Sequence, residues 1–156
     1  MVKHIFVQDR SSPFPINETV PIVLIAGLIE AVKAVPRLTK RFGPAFAVRT
    51  VAKSAFPNRL FFFTPPKGSI TSSGGLALGF CKFYAVEKEA VVIGTIETTP
   101  EHRGRGLATM TIKAAMNAMI ARGYTRFYID TQEGNVPMLR SIENLEFGPP
   151  TRSVEA

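Results

Sequence analysis

Apolar residues along the first third of the chain come in two rhythms. HIFVQ (4–8) is a short β-forming run and predicts a first strand. RSSPFPINET (10–19), with two prolines and clustered Ser and Asn, predicts a loop. PIVLIAGLIEAVKAV (21–35) predicts a helix with Pro21 in its first turn, ended or kinked by Pro36. A weaker helical pattern covers 37–55 with a break at Gly43-Pro44. RLFFFT (59–64) predicts a strand, and PPKGSITSSGG (65–75) a turn-rich connection without a motif. LALGFCKFYAV (76–86) and AVVIGTIET (90–98) predict two strands joined by the charged turn EKE, an antiparallel hairpin.

From about residue 105, Leu107, Met110, Ala114 and Ala118 recur along one helical stripe, widened by Ile112, Ala115 and Met119. Arg122-Gly123 is a stop signal, a cation at the negative end of the dipole and then a glycine suited to a left-handed cap. RFYID (126–130) predicts a strand and VPMLRSIENL (136–145) a short helix with Asn135 as N-cap. The tail after Phe147 has room for one short strand. Strand, helices, three strands, helix, strand, helix is the order of one mixed α/β layer structure, a single domain over 1–156.

Composition narrows the class. The chain has 156 residues, 46% hydrophobic and 20% charged, as an ordinary globular domain has. A lone Cys81 excludes an internal disulfide framework and a cysteine metal cluster, and reads as a small buried hydrophobe. The longest apolar run (20–32) is interrupted by Glu30 and falls short of the roughly 20 residues of a membrane span. MVKHIFVQDR lacks a signal-peptide plan, so a cytoplasmic protein without a membrane partner is expected. The formal net charge of +7 equals the contribution of Lys33, Arg37, Lys40, Arg41, Arg49, Lys53 and Arg59, which have no acid among them. That segment is either a solvated basic face or a surface for an acidic ligand.

The stretch ETTPEHRGRGLATMTI (97–112) carries the chemistry. It joins a strand to a helix through two arginines and two glycines in Arg103-Gly104-Arg105-Gly106. The first amides of a helix lack partners and its dipole is positive there. Glycines let an oxyanion approach the backbone, and the arginines add charge. The Walker pattern is absent. The dinucleotide fingerprint is approached by Gly104 and Gly106, with Thr109 where its third glycine would stand and Asp130 at the end of the next strand. Too little chain follows to build a doubly wound sheet.

Arg103-Gly104-Arg105-Gly106-Leu107-Ala108 resembles the R/Q-x-x-G-x-G/A motif of the GNAT N-acetyltransferase superfamily. NVPMLRSIENLEF resembles that family's second motif, with Asn135, Met138, Glu143, Leu145 and Phe147 at matching places. The likeness covers 88–148, the acetyl-CoA-binding core; residues 1–60 match only in element order and form an atypical N-terminal part. The resemblance implies a mixed, mostly antiparallel α/β sheet flanked by helices and splayed between the fourth and fifth strands, here 90–98 and 126–130. It implies a direct transfer of acetyl from acetyl-CoA to a primary amine, with no metal. Backbone amides from Arg103 to Ala108 would hold the diphosphate, the backbone of Ile96 to Thr98 would pair with the pantetheine arm, and Asn135 would contact the arm.

Such a transfer needs a base for the ammonium, a donor to the carbonyl and a proton for the thiolate. The Thr98 amide is the expected donor. Glu97, beside Ile96, is the first candidate base, ahead of Glu89 and His102. The family's usual acid is a tyrosine on the last helix. Ile142 stands at that place, with Ser141 before it as the substitute donor. Tyr124 and Tyr128 read as packing aromatics. The short tail suggests an open site or a homodimer that completes the sheet. A catalytically impaired GNAT-like binding protein is the alternative reading, and nucleic acid is not an expected partner, since no recognition motif accompanies the basic segment.

Overall fold

Phe61 and Phe63 of RLFFFT face one way, while Leu60 and Phe62 face the other. This period-2 alternation builds a sheet buried on both sides. The computed structural model describes residues 1–156 throughout. Its seven strands are β1 (Val2–Asp9), β2 (Val23–Ile25), β3 (Arg59–Thr64), β4 (Ser72–Leu78), β5 (Val91–Thr98), β6 (Arg126–Gln132) and β7 (Arg152–Glu155). The helices are α1 (Leu28–Phe42), α2 (Pro44–Ser54), α3 (Leu107–Ala121) and α4 (Val136–Asn144). The strands form one sheet in the order β2-β3-β4-β5-β6-β1-β7, and every neighbouring pair is antiparallel except β5 and β6.

The larger core lies between the sheet and the α3–α4 layer. Leu60, Phe62, Leu76, Val91, Ile93, Phe127 and Ile129 meet Ile112, Ala115, Met116 and Met119 of α3, and Ile142 of α4. On the opposite face, Ala31, Ala34 and Leu38 of α1 and Ala47 of α2 pack on Ile25 and Phe63. The stop signal after α3 acts as its residues dictate. Gly123 has φ 94°, its amide donates to Ile120, and the Tyr124 amide donates to Met119, a Schellman closure.

Three expectations are corrected. Residues 21–35 are not one helix: Val23–Ile25 pair with Phe61–Phe63 as β2, and α1 begins after Gly27. Burying the β-branched and leucine side chains against the phenylalanines of β3 outweighs their helical spacing. Pro36 does not end α1, which runs on to Phe42 because Ala34 and Leu38 on either side of it are buried. The proposed strand 76–86 stops at Leu78, whose partner is Val91, and the SSGG quartet of the supposed connection begins β4. Gly79, at φ 68°, turns the chain out into a loop over 79–90, and its amide is held by Ala90 O at 2.8 Å.

The place of β1 in the sheet is set by the fold. It is a strand, as its pattern predicts, and it stands beyond β6, between β6 and β7. Ile5 is wholly buried there and Phe6 nearly so. The sheet past β6 is therefore continued by β1 and β7 of the same chain.

Candidate active site

A split in the sheet is the centre of the site. β5 and β6 pair only over Val91–Ile93 and Phe127–Ile129. Past Ile93, β5 bulges. Its pairing to β4 jumps from Gly94↔Gly75 to Glu97↔Ser73, so Thr95 and Ile96 stand opposite Gly74 alone. Thr95 has φ 53°, a costly value for a β-branched residue, and its hydroxyl donates to Gly94 O at 2.8 Å. The bulge needs the glycines across from it. A Cβ on Gly74 would lie 2.5 Å from Ile96 Cδ1 and 2.5 Å from Phe62 Cζ, and one on Gly75 would lie 2.9 Å from Thr95 Oγ1. The β6-facing amides and carbonyls of β5 past the bulge have no strand partner.

The basic loop sits at the end of the same strand. Thr99 anchors it through its amide to Thr71 O (2.8 Å) and its hydroxyl to His102 Nδ1 (2.7 Å). Arg103 Nε donates to Thr98 O at 3.0 Å, and Thr98 Oγ1 pairs with Ser72 Oγ at 3.2 Å. Gly104 and Gly106 are left-handed, at φ 77° and 74°, with open space where a side chain would be. Gly106 caps α3, whose first bond runs from the Met110 amide to Gly106 O at 3.0 Å. The amides of Gly104 to Thr109 donate to no turn or cap acceptor, and Arg103 to Gly106 are exposed; the Arg103 amide, expected among the free donors, instead donates to Pro100 O at 3.4 Å and closes the preceding turn. Arg105 has no acidic partner. Unused donors, open glycines and positive charge at one helix mouth fit the oxygens of a diphosphate.

A cleft of about 950 Å³ opens on the α1–α2 side and reaches both walls of the split, Gly94–Glu97 on β5 and Ile129–Gln132 on β6. Ile96, Glu97 and Asn135 line it, and Arg103 to Ala108 do not. The apolar surroundings expected around Glu97 are not there. Its side chain is 50% exposed, and Arg41 Nη2 from α1 lies 3.2 Å from Oε1. Asn135 caps α4 as predicted, accepting from the Met138 amide at 3.3 Å. Ser141 is not brought to the cleft: its hydroxyl donates to Pro137 O in its own helix at 3.2 Å, and Ile142 beside it is core. Glu89 and His102 also lie outside the cleft lining, as do Tyr124 and Tyr128.

Sequence reasoning missed several groups. Asp130 lines the cleft, with Lys3 Nζ 2.9 Å from one oxygen and the Tyr84 hydroxyl 2.8 Å from the other. Burial first, and the Asp130 carboxylate next, push the Tyr84 hydroxyl far above its ordinary pKa of 10. Phe80, Cys81, Lys82 and Phe83 of the 79–90 loop line the cleft too. The pair Gly74-Gly75 inside β-forming residues was the signal available for the bulge.

The comparisons with known proteins agree with this fold. The family model described as Acetyltransferase (GNAT) family matches residues 38–147. Among curated proteins no sequence matches. A GNAT-family protein from Novosphingobium aromaticivorans superposes with a TM-score of 0.61 at 22% identity, over 98% of this chain and 62% of the other. An acetyltransferase of the GNAT family from Colwellia psychrerythraea gives 0.66 at 16% identity, over 98% and 53%. The chain thus spans little more than half the length of these two. An aminoglycoside acetyltransferase solved with a bisubstrate analogue of coenzyme A and acetylneamine gives 0.65 at 14% identity, over 86% of this chain and 95% of the other. These likenesses carry the fold, and the family match carries the membership: the chain belongs to the GNAT family of acetyltransferases.

Proposed function

We propose that this domain is an acetyl-CoA-dependent N-acetyltransferase acting on a primary amine. The observation that supports it most is the open split of β5 from β6 at the bulge, with an unpartnered amide cradle at the mouth of α3 beside it. The cosubstrate supplies an activated acetyl thioester. Amides from Gly104 to Ala108 and the charges of Arg103 and Arg105 bind its diphosphate, and the Ile96–Thr98 backbone and Asn135 orient its arm. The Thr98 amide polarises the carbonyl. Glu97, which faces the cleft, takes the proton of the acceptor ammonium directly or through water. With Ser141 turned into its helix, solvent in the open cleft protonates the departing thiolate, whose pKa is close to the reference of about 8.5 for a thiol.

Isothermal titration with coenzyme A tests the cradle. Micromolar binding is expected, weakened at least about tenfold in an Arg103→Gln/Arg105→Gln double variant, since each lost charge-assisted contact is worth roughly 1 kcal/mol or more. Equal heats for wild type and double variant would refute it. Ile142 at the tyrosine place favours a second reading, a binding protein that has lost turnover. It predicts coenzyme A binding without thiol release across a broad amine panel.

A further inference from the structure

The proposed activity leaves the acceptor open, and the charges of the cleft narrow it. Its lining includes two carboxylates, Glu97 and Asp130, and both are already neutralised, by Arg41 at 3.2 Å and by Lys3 at 2.9 Å. Four further lining cations, Arg49 and Lys53 of α2, Arg59 of β3 and Lys82 of the 79–90 loop, have no carboxylate within ion-pairing distance and no hydrogen-bond acceptor within the chain. Between them stand aromatic rings. Phe80 and Phe83 are 45% and 44% exposed; Arg59 lies 5.1 Å from the Phe80 ring centre, and Lys3 and Lys82 lie 4.2 Å and 5.7 Å from that of Phe83. The volume is that of a small-molecule site.

Resting on the acetyltransferase reading, we propose that the acceptor is a small amine with an anionic group, carboxylate or phosphate, on a flat apolar body. The anion is held by Arg49, Lys53, Arg59 and Lys82, the body rests against Phe80 and Phe83, and the amine points to Glu97. Polyamines and other polycationic amines are repelled by the same four charges.

Steady-state acetylation at saturating acetyl-CoA tests this with matched amines: phenylalanine against phenylalanine amide and phenethylamine, glucosamine 6-phosphate against glucosamine, and spermidine. The anionic member of at least one set is expected to have the higher kcat/KM, by about tenfold, through KM, and added salt should shrink the difference. In an Arg49→Gln/Lys53→Gln double variant the ratio should fall toward one. The carboxylate and phosphate sets separate the two anion types. Preference for neutral amines or spermidine, or a ratio untouched by the double variant, would overturn the inference while leaving acetyl transfer intact. If no amine is turned over, the activity fails, and titration with N-acetylphenylalanine, its amide and glucosamine 6-phosphate decides the charge question. Binding of an anionic probe that is tighter than that of the amide and lost in the double variant upholds the anion site; its absence removes it.

Discussion

A methyl group on Gly74 would lie 2.5 Å from Ile96 Cδ1 and from the ring of Phe62, which is wholly buried. Gly74→Ala must displace one of them or straighten the bulge. A loss of about 1–3 kcal/mol in urea unfolding is expected, with weaker coenzyme A binding because Ile96–Thr98 shift with it. Gly104 is the contrast. Open space surrounds its Cβ direction, so Gly104→Ala should cost only about 1 kcal/mol for the left-handed backbone. Glu97 tests chemistry rather than packing. Glu97→Gln should lower kcat about 10²-fold or more while leaving coenzyme A affinity within about twofold. An unchanged kcat would remove Glu97 as the base.

At the scale of elements, the two longest corrections share a cause. Local rules read Pro36 as an end or a kink of the helix and FCKFYAV as part of a strand; the end and the strand both lose to burial. α1 keeps Pro36 because Ala31, Ala34 and Leu38 pack on Phe63 and Ile25, while Arg37 crosses to the carbonyls of Pro65, Pro66 (2.6 Å) and Gly68 (3.0 Å). The proline remains a cost within a helix that packing holds together. Pro36→Ala should stabilise the domain by about 1–3 kcal/mol, visible as a higher urea midpoint at unchanged slope. The 79–90 loop is fixed by Tyr84, buried on Ile5, Val92 and Tyr128, and this fixation sets Phe80 to Phe83 at the cleft. Tyr84→Phe should cost about 1–2 kcal/mol at neutral pH, the loss of a hydrogen bond to a carboxylate.

For the whole molecule, stability should fall at both ends of the pH scale. Tyr84 and Tyr128 are raised above their ordinary 10, so the folded chain holds protons that the unfolded chain releases; their contribution is present below pH 10 and lost as pH rises beyond it. Glu87, bonded by the Tyr128 hydroxyl, and Glu146, bonded by Arg10, are lowered below 4.5; their contribution is present above pH 4.5 and lost as pH falls below it. Thermal unfolding across pH checks this, and Tyr84→Phe should flatten the alkaline limb. A chain whose melting temperature stayed constant from pH 9 to 11 would contradict it. β1 is a further dependence of the whole. Removing residues 1–10 strips β6 of its partner and the core of Ile5 and Phe6. The truncated chain should associate further than the intact one or fail to fold, as size-exclusion chromatography would report, and a synthetic peptide of residues 1–11 should restore the elution of the intact chain.

The features legible in the sequence are those decided over a few residues. The open turn before α3 needs only the backbone freedom of Gly104 and Gly106 and the free amides of one helix end. The Arg122-Gly123 stop and the Asn135 cap act within a turn or two, whereas the expected α3 stripe of Leu107, Met110, Ala114 and Ala118 is only half-buried and the core takes Ile112, Ala115, Met116 and Met119 instead. The tertiary structure alone decided which strand lies beside which. A short β-forming apolar run marks β1 as a strand, but its place beyond β6 depends on apolar surface contributed by Phe127, Ile129 and the tail more than a hundred residues away. It also decided how one run of cations is divided. Arg37 goes to carbonyls, Arg41 to Glu97, and Arg49, Lys53 and Arg59 to the cleft, because charge acts through space and the chain's path sets which acid or ligand each arginine and lysine can reach.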